Sequence, residues 1–160
     1  MTGNVEFALD LEVRHYELDT QGHVNSANYL RYAEHARWRH LESLGIGPDA
    51  LAARGVGPVF LELTIKYHGE LVAGNIVTVT SEFVFAEAAS KTFCIDQEIR
   101  KSDGSVAASL RNTAGLLDLA TRRLIDDPRA VLDELGQPKS SAGAPKNDPA
   151  KDVNSARNSP

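Results

Sequence analysis

Arg14-His15-Tyr16-Glu17-Leu18-Asp19-Thr20-Gln21-Gly22-His23-Val24-Asn25-Ser26-Ala27-Asn28-Tyr29 puts an acidic residue, a glycine turn and a helix start within ten residues of one another. Asp and Asn have a structural use in such places, because their side-chain oxygens satisfy backbone N–H groups left over at turns and helix tips. The same spacing also aims a carboxylate at the unpaired donors of a helix start. Both readings of Asp19 stand at this level: a capped turn, or a reactive site.

Outward from this stretch the pattern changes period twice. Upstream, Phe7, Leu9, Leu11 and Val13 alternate with Glu6, Asp10 and Glu12, which predicts a half-buried strand over residues 5–13. Downstream, residues 29–44 contain no Pro or Gly, and Leu30, Ala33, Arg37, Leu41 and Leu44 recur at helical spacing beside Tyr29 and Ala36. This predicts one long amphipathic helix, capped by Asn25 or Ser26 and stopped at Gly45. Pro48 and Gly55 bracket a short second helix. Val59, Leu61, Leu63, Ile65 and Tyr67 then alternate with Glu62, Thr64 and Lys66, and three more β-like runs cover residues 76–85, 92–101 and 105–119. Ser102-Asp103-Gly104 joins the last two as a hairpin, and Asp127-Pro128 opens a short closing segment. The order β-α-β-β-β-β is an α+β arrangement in which an antiparallel sheet wraps one long helix.

A chain of 160 residues has room for one domain with a sizeable core, and 42% hydrophobic with 24% charged residues is ordinary globular usage. We assign residues 1–136 to that domain. Residues 137–160 hold no aromatic residue, Leu or Ile, so they cannot offset their ordering entropy and are expected to form a disordered tail. No apolar run approaches the roughly 20 residues of a membrane span, and no basic patch leads into an apolar segment at the N-terminus, so the cytoplasm is the expected compartment. The net charge of −5 argues against a broad hold on nucleic acid.

Several chemistries lack their residues. There is no Gly-x-Ser-x-Gly elbow, and His15, His23, His35, His40 and His68 form no helical zinc pair with a glutamate. Cys94, the only cysteine, alternates within a strand as a packed residue. Gly45-Ile46-Gly47 and Gly55-Val56-Gly57 fail as nucleotide loops. No metal and no organic cofactor is implied.

In residues 16–29, with Tyr32 and Arg37 beyond, the chain resembles the 4-hydroxybenzoyl-CoA thioesterase family of hotdog-fold enzymes, which includes bacterial acyl-CoA thioesterases and plant plastid acyl-ACP thioesterases. The likeness continues through Leu44-Gly45 and Glu62-Leu63-Thr64-Ile65-Lys66-Tyr67 to about Arg129. Many relatives carry Asp two residues before the reactive position, where this chain has Glu17; Asp19 matches the family's catalytic carboxylate. Glu17-Leu18-Asp19 with Glu62-Leu63-Thr64 looks closest to the plant branch.

The resemblance implies a hotdog fold and hydrolysis of an acyl or aroyl thioester of CoA or acyl carrier protein. Asp19 would act as nucleophile or general base, and backbone N–H groups from Asn25 through Ser26, Ala27 and Asn28 would hold the oxyanion. His23 orients water or the thioester, or is only a turn residue; Asn25 caps the helix or polarises the carbonyl. Glu62 positions water across the protomer interface or is a solvated strand carboxylate. Gly22, Tyr29, Tyr32 and Phe60 are candidates for the substrate pocket, with core packing as the plainer account of the aromatics. Lys91 and Arg100 are candidates for nucleotide phosphates, and Arg37 is expected in a buried ion pair. Family likeness further implies a homo-oligomer, a dimer or a dimer of dimers, with sites at the protomer interface. The alternative is a non-catalytic acyl-thioester-binding module on the same fold. A hotdog hydratase lacks its His-plus-acid signature here.

Overall fold

The alternating residues near the start form β1 (Phe7–Glu12), followed by a single 3-10 turn at His15–Glu17. The computed structural model describes residues 6–88 and 90–137; the expected tail, Gln137 apart, lies outside them. Then come α1 (Ser26–Ser43), α2 (Pro48–Arg54), β2 (Val56–Tyr67), β3 (Ile76–Val84), β4 (Thr92–Lys101), β5 (Val106–Asp118) and α3 (Pro128–Leu135). Gly45 at φ +79° and Gly55 at φ +73° end the first two helices in the left-handed region. Asp127 caps α3 by accepting from the Ala130 N–H.

The five strands form one antiparallel sheet in the order β1-β3-β4-β5-β2. α1 packs mainly over β1, β3 and β4. Two apolar clusters result. One joins Tyr29, Tyr32, Ala33 and Ala36 to Val77, Val79, Ile99 and Leu110. The other gathers Leu41, Ile46, Leu51, Phe83, Phe93, Leu116 and Leu132. The buried polar side chains of Gln97 and Asn112 sit on the inner faces of β4 and β5. No helix among the described residues is long and apolar enough to cross a membrane.

Two local expectations are corrected. The helix starts at Ser26 behind the expected Asn25 cap and buries Tyr29, Ala33, Ala36 and Leu41 as expected, but it also buries Tyr32 and His40, while Leu30 stays 37% exposed. The face is set by which strands lie underneath, not by the apolar residues alone. In β2 the register with β5 shifts between Phe60 and Glu62, so Leu61 is a bulge residue. The inward set is therefore Phe60, Leu63, Ile65 and Tyr67, opposite Ala114, Asn112, Leu110 and Ala108.

Candidate active site at the turn before the long helix

The turn around Asp19 is closed by its own backbone. Asp19 N–H donates to the His23 carbonyl at 2.7 Å, Gly22 N–H donates to the Asp19 carbonyl at 3.1 Å, and Leu18 bridges to Val24. Gly22 sits at φ +80°, a conformation that L side chains rarely adopt. The Asp19 carboxylate folds onto this turn: Oδ1 accepts from the N–H groups of Gln21 (2.8 Å) and His23 (3.3 Å). Oδ2 has no hydrogen-bond partner among the described residues.

Glu17 pins the turn to the helix. Its buried carboxylate accepts from the Tyr32 hydroxyl at 2.5 Å and the Arg14 N–H at 2.8 Å, and pairs with the Arg14 guanidinium at 3.3 Å. Its carbonyl accepts from Asn25 N–H at 2.9 Å and from the Asn28 side-chain amide at 2.7 Å. Burial and the neighbouring carboxylate push the Tyr32 phenol well above its ordinary value, so it stays a donor.

At the helix start the expected run of free donors narrows to one. Asn25 N–H is taken by Glu17, Ala27 N–H by the Asn25 side chain at 2.9 Å, and Asn28 N–H by the Asn25 carbonyl at 2.8 Å. Only the Ser26 N–H remains without a partner among the described residues. Asn25, a good N-cap, takes two of the others, and the Glu17 carbonyl takes the third.

Asp19 and Ser26 open on one shallow groove of about 430 Å³, which His23, Tyr29, Tyr67, Gly69 and Glu70 also line. The His23 Nε2 lies 3.1 Å from Glu70 Oε2. Tyr29 and Tyr67 meet edge to face with centroids 5.2 Å apart, and the Tyr29 hydroxyl donates to the Gly69 carbonyl at 3.4 Å. Glu70, Tyr67 and Gly69 escaped the reading of the sequence: they come from the loop end of β2, more than forty residues away from the turn. The glycine following an alternating run was the one local sign of a turn there.

A carboxylate with one free oxygen, a free helix-tip donor and a histidine paired to a second carboxylate form a constellation suited to acyl transfer. A family model described as the thioesterase-like superfamily matches residues 13–135. The chain belongs to that superfamily. Its antiparallel sheet around one long helix is the hotdog fold. The long-chain acyl-CoA thioesterase FadM of Escherichia coli (strain K12) is 30% identical over 128 residues, covering 79% of this chain and 95% of that protein. The chloroplastic acyl-acyl carrier protein thioesterase ATL3 of Arabidopsis thaliana is 40% identical over 81 residues, 51% of this chain; the match spans only 43% of the plant protein. Among solved structures, the probable thioesterase YbaW from Escherichia coli superposes with a TM-score of 0.71 at 27% identity, covering 81% of this chain and 96% of that one.

Within this chain, four expected site residues stand outside the groove at the Asp19 turn. Tyr32 is buried against Glu17 and holds the turn, so it lines no pocket there. Glu62 follows the bulge and stands exposed on the outer face, the side of the sheet away from α1. Phe60 lies under Arg37 instead, further along α1. Lys91 pairs with Asp126 at 2.7 Å next to Thr92, which faces Gly115; Tyr67, at the site, faces Ala108. At about 3.4 Å per residue, those two ends of β5 are about 24 Å apart. Arg37 is also corrected. It makes no ion pair among the described residues: Nη1 donates to Gln97 Oε1 at 2.9 Å, and the guanidinium stacks 4.5 Å from the Phe60 centroid. Burial pulls its pKa down, and the Glu34 carboxylate on the same helix opposes that.

Proposed function

We propose that the chain hydrolyses acyl thioesters of CoA or of an acyl carrier protein, in the cytoplasm and as a homo-oligomer. Asp19 is the reacting carboxylate. Its Oδ1 is held by two backbone N–H groups, which fixes the side chain, and its Oδ2 is left to act. Ser26 N–H, at the positive end of an 18-residue helix, receives the carbonyl oxygen as it gains charge. The observation that supports this reading best is that these two groups open on the same groove.

Two routes use Oδ2. As general base it takes a proton from water while the water oxygen adds to the thioester carbon; collapse of the tetrahedral adduct expels the thiolate. As nucleophile it adds to that carbon itself, expels the thiolate and leaves a mixed anhydride for water to cleave. His23, steadied by Glu70, orients the water in either case. One turnover in heavy-oxygen water separates the routes: label entering the Asp19 carboxylate means the nucleophilic one.

The oligomer is built on β2. This 12-residue edge strand has one row of backbone N–H and C=O groups unpaired within the chain, and its bulge residue Leu61 is 53% exposed. An edge of that length and apolarity is a template for a second copy. A dimer, or a dimer of dimers, covers it.

Thiol release from a panel of acyl- and aroyl-CoA and carrier-protein thioesters tests the activity, with Asp19→Asn as control. We expect the variant to lose about a hundred- to ten-thousand-fold in kcat. Full activity in the variant would overturn the role of Asp19, and tight binding with no turnover in the wild type would favour the acyl-binding module instead.

A further inference from the structure

Because α1 lies mainly over β1, β3 and β4, the inner face of β2 beyond its contacts with α2 is left partly open. That is why Leu63 and Tyr67, which point to the core side, remain 42% and 51% exposed; Leu30 on α1 is 37% exposed. An apolar strip therefore runs between α1 and β2. It starts at the candidate site, where Tyr67 meets Tyr29 and its hydroxyl reaches the Ser26 carbonyl at 3.5 Å, and it ends where Arg37 lies over Phe60. Behind Arg37 sits a separate cavity of about 180 Å³ whose walls include Trp38, Leu51, Phe83, Phe93 and Leu132.

We infer that this strip carries the acyl chain and that Arg37, seated on Phe60, is the stop that sets its length. The inference rests on the hydrolase reading above and adds the substrate class: medium-chain acyl thioesters. From Ser26 to Arg37 is eleven residues of α1, or about 16 Å at roughly 1.5 Å per residue. An extended carbon chain advances about 1.3 Å per bond of about 1.5 Å, and helical side chains lean back toward the N-terminus, so the strip holds about ten to twelve carbons. A longer chain must pass a guanidinium whose one hydrogen-bond acceptor among the described residues is the neutral Gln97 amide oxygen, and which cannot shed its charge. The cavity behind the stop is of the size that accepts benzene in an engineered core, where about 150 Å³ suffices, so it has room for about six more carbons.

The test is the chain-length profile of kcat/KM on acyl-CoA thioesters from four to eighteen carbons. We expect the wild type to peak at about ten to twelve carbons. Arg37→Met keeps the stem and removes the charge, and Phe60→Ala removes its seat; each should raise the sixteen- to twelve-carbon ratio by about tenfold or more. Leu63→Trp, on the floor of the strip, should lower the twelve- to four-carbon ratio by about tenfold. Phe60 and Leu63 are both exposed, so their variants carry the test should Arg37→Met fail to fold. A wild-type peak at sixteen carbons, or ratios that stay put in all variants, overturns the stop and leaves the hydrolase standing. The second result would mean that side chains of a second copy fill the strip. Absence of hydrolysis at every length sinks both readings.

Discussion

His40 gives the fold a pH-dependent weakness whose size follows from its surroundings. The side chain is 1% exposed, with its ring stacked between Phe7 (centroids 5.2 Å apart) and Phe83 (4.6 Å). Nδ1 lies 3.2 Å from the Ser81 hydroxyl, and Nε2 is buried with no partner. The cheaper tautomer places the proton on Nδ1, because a buried acceptor left unpaired costs less than a buried donor. Burial pulls the imidazole pKa from 6.5 down to about 4. Between those two values the unfolded chain binds a proton that the folded chain refuses, so stability rises with pH across that window. The contribution of the neutral ring is complete above pH 6.5 and disappears as pH falls toward 4. Going from pH 7.5 to pH 5 it amounts to about 2 kcal/mol.

Other groups titrate in the same range, so the measurement is a difference of differences. Urea unfolding of the wild type and of His40→Leu at pH 7.5 and pH 5 cancels what the two proteins share. The wild type should lose about 2 kcal/mol more than the variant between the two pH values. Parallel profiles would refute the reasoning, since they would mean that the ring binds its proton as readily in the folded protein as outside it.

Tyr32→Phe removes the hydroxyl from the buried Glu17 carboxylate and should cost about 1.5–3 kcal/mol in urea unfolding, with kcat falling because the turn loosens. Asn25→Ala strips the helix of its cap and should cost about 1 kcal/mol. Asn25 itself lines the groove, so KM for thioesters should move along with stability. Leu61→Asp puts a charge on the bulge of the edge strand and should shift the sedimentation velocity profile to smaller species, with an unchanged far-ultraviolet dichroism spectrum.

Elements with contrast in their own sequence were legible. The alternation in β1, the left-handed stops at Gly45 and Gly55, and Asp127-Pro128 all stand where local chemistry places them. The bulge was not legible, because Val59, Phe60 and Leu61 are all apolar and nothing marks which is the extra residue. One extra residue flips every side chain beyond it to the other face of the sheet. The buried face of α1 was misread for a related reason: apolar residues stand on more than one side of it, and the covering strands decide between them. Pairs such as Tyr32 with Glu17, His23 with Glu70 and Arg37 with Gln97 span 15, 47 and 60 residues, so no spacing rule reaches them. Asp19 itself did not force a choice between its two readings, since one of its oxygens serves the turn and the other is left over.

That division of labour within one carboxylate explains how the site is held. Preorganisation demands that a reacting group keep its place without help from substrate. Here the turn is fixed from both sides: Glu17 ties it to α1 through Tyr32, Asn25 and Asn28, and the Leu18–Val24 bridge closes its neck. None of these contacts involves β2. The Asp19 carboxylate and the helix-tip donor thus both come from the turn and helix start of one chain, whereas the strip beside them is bounded by an edge strand that the chain leaves partly open. Substitutions along β2 should therefore change which chain is accepted before they change the chemical step, and substitutions around Glu17 should do the reverse.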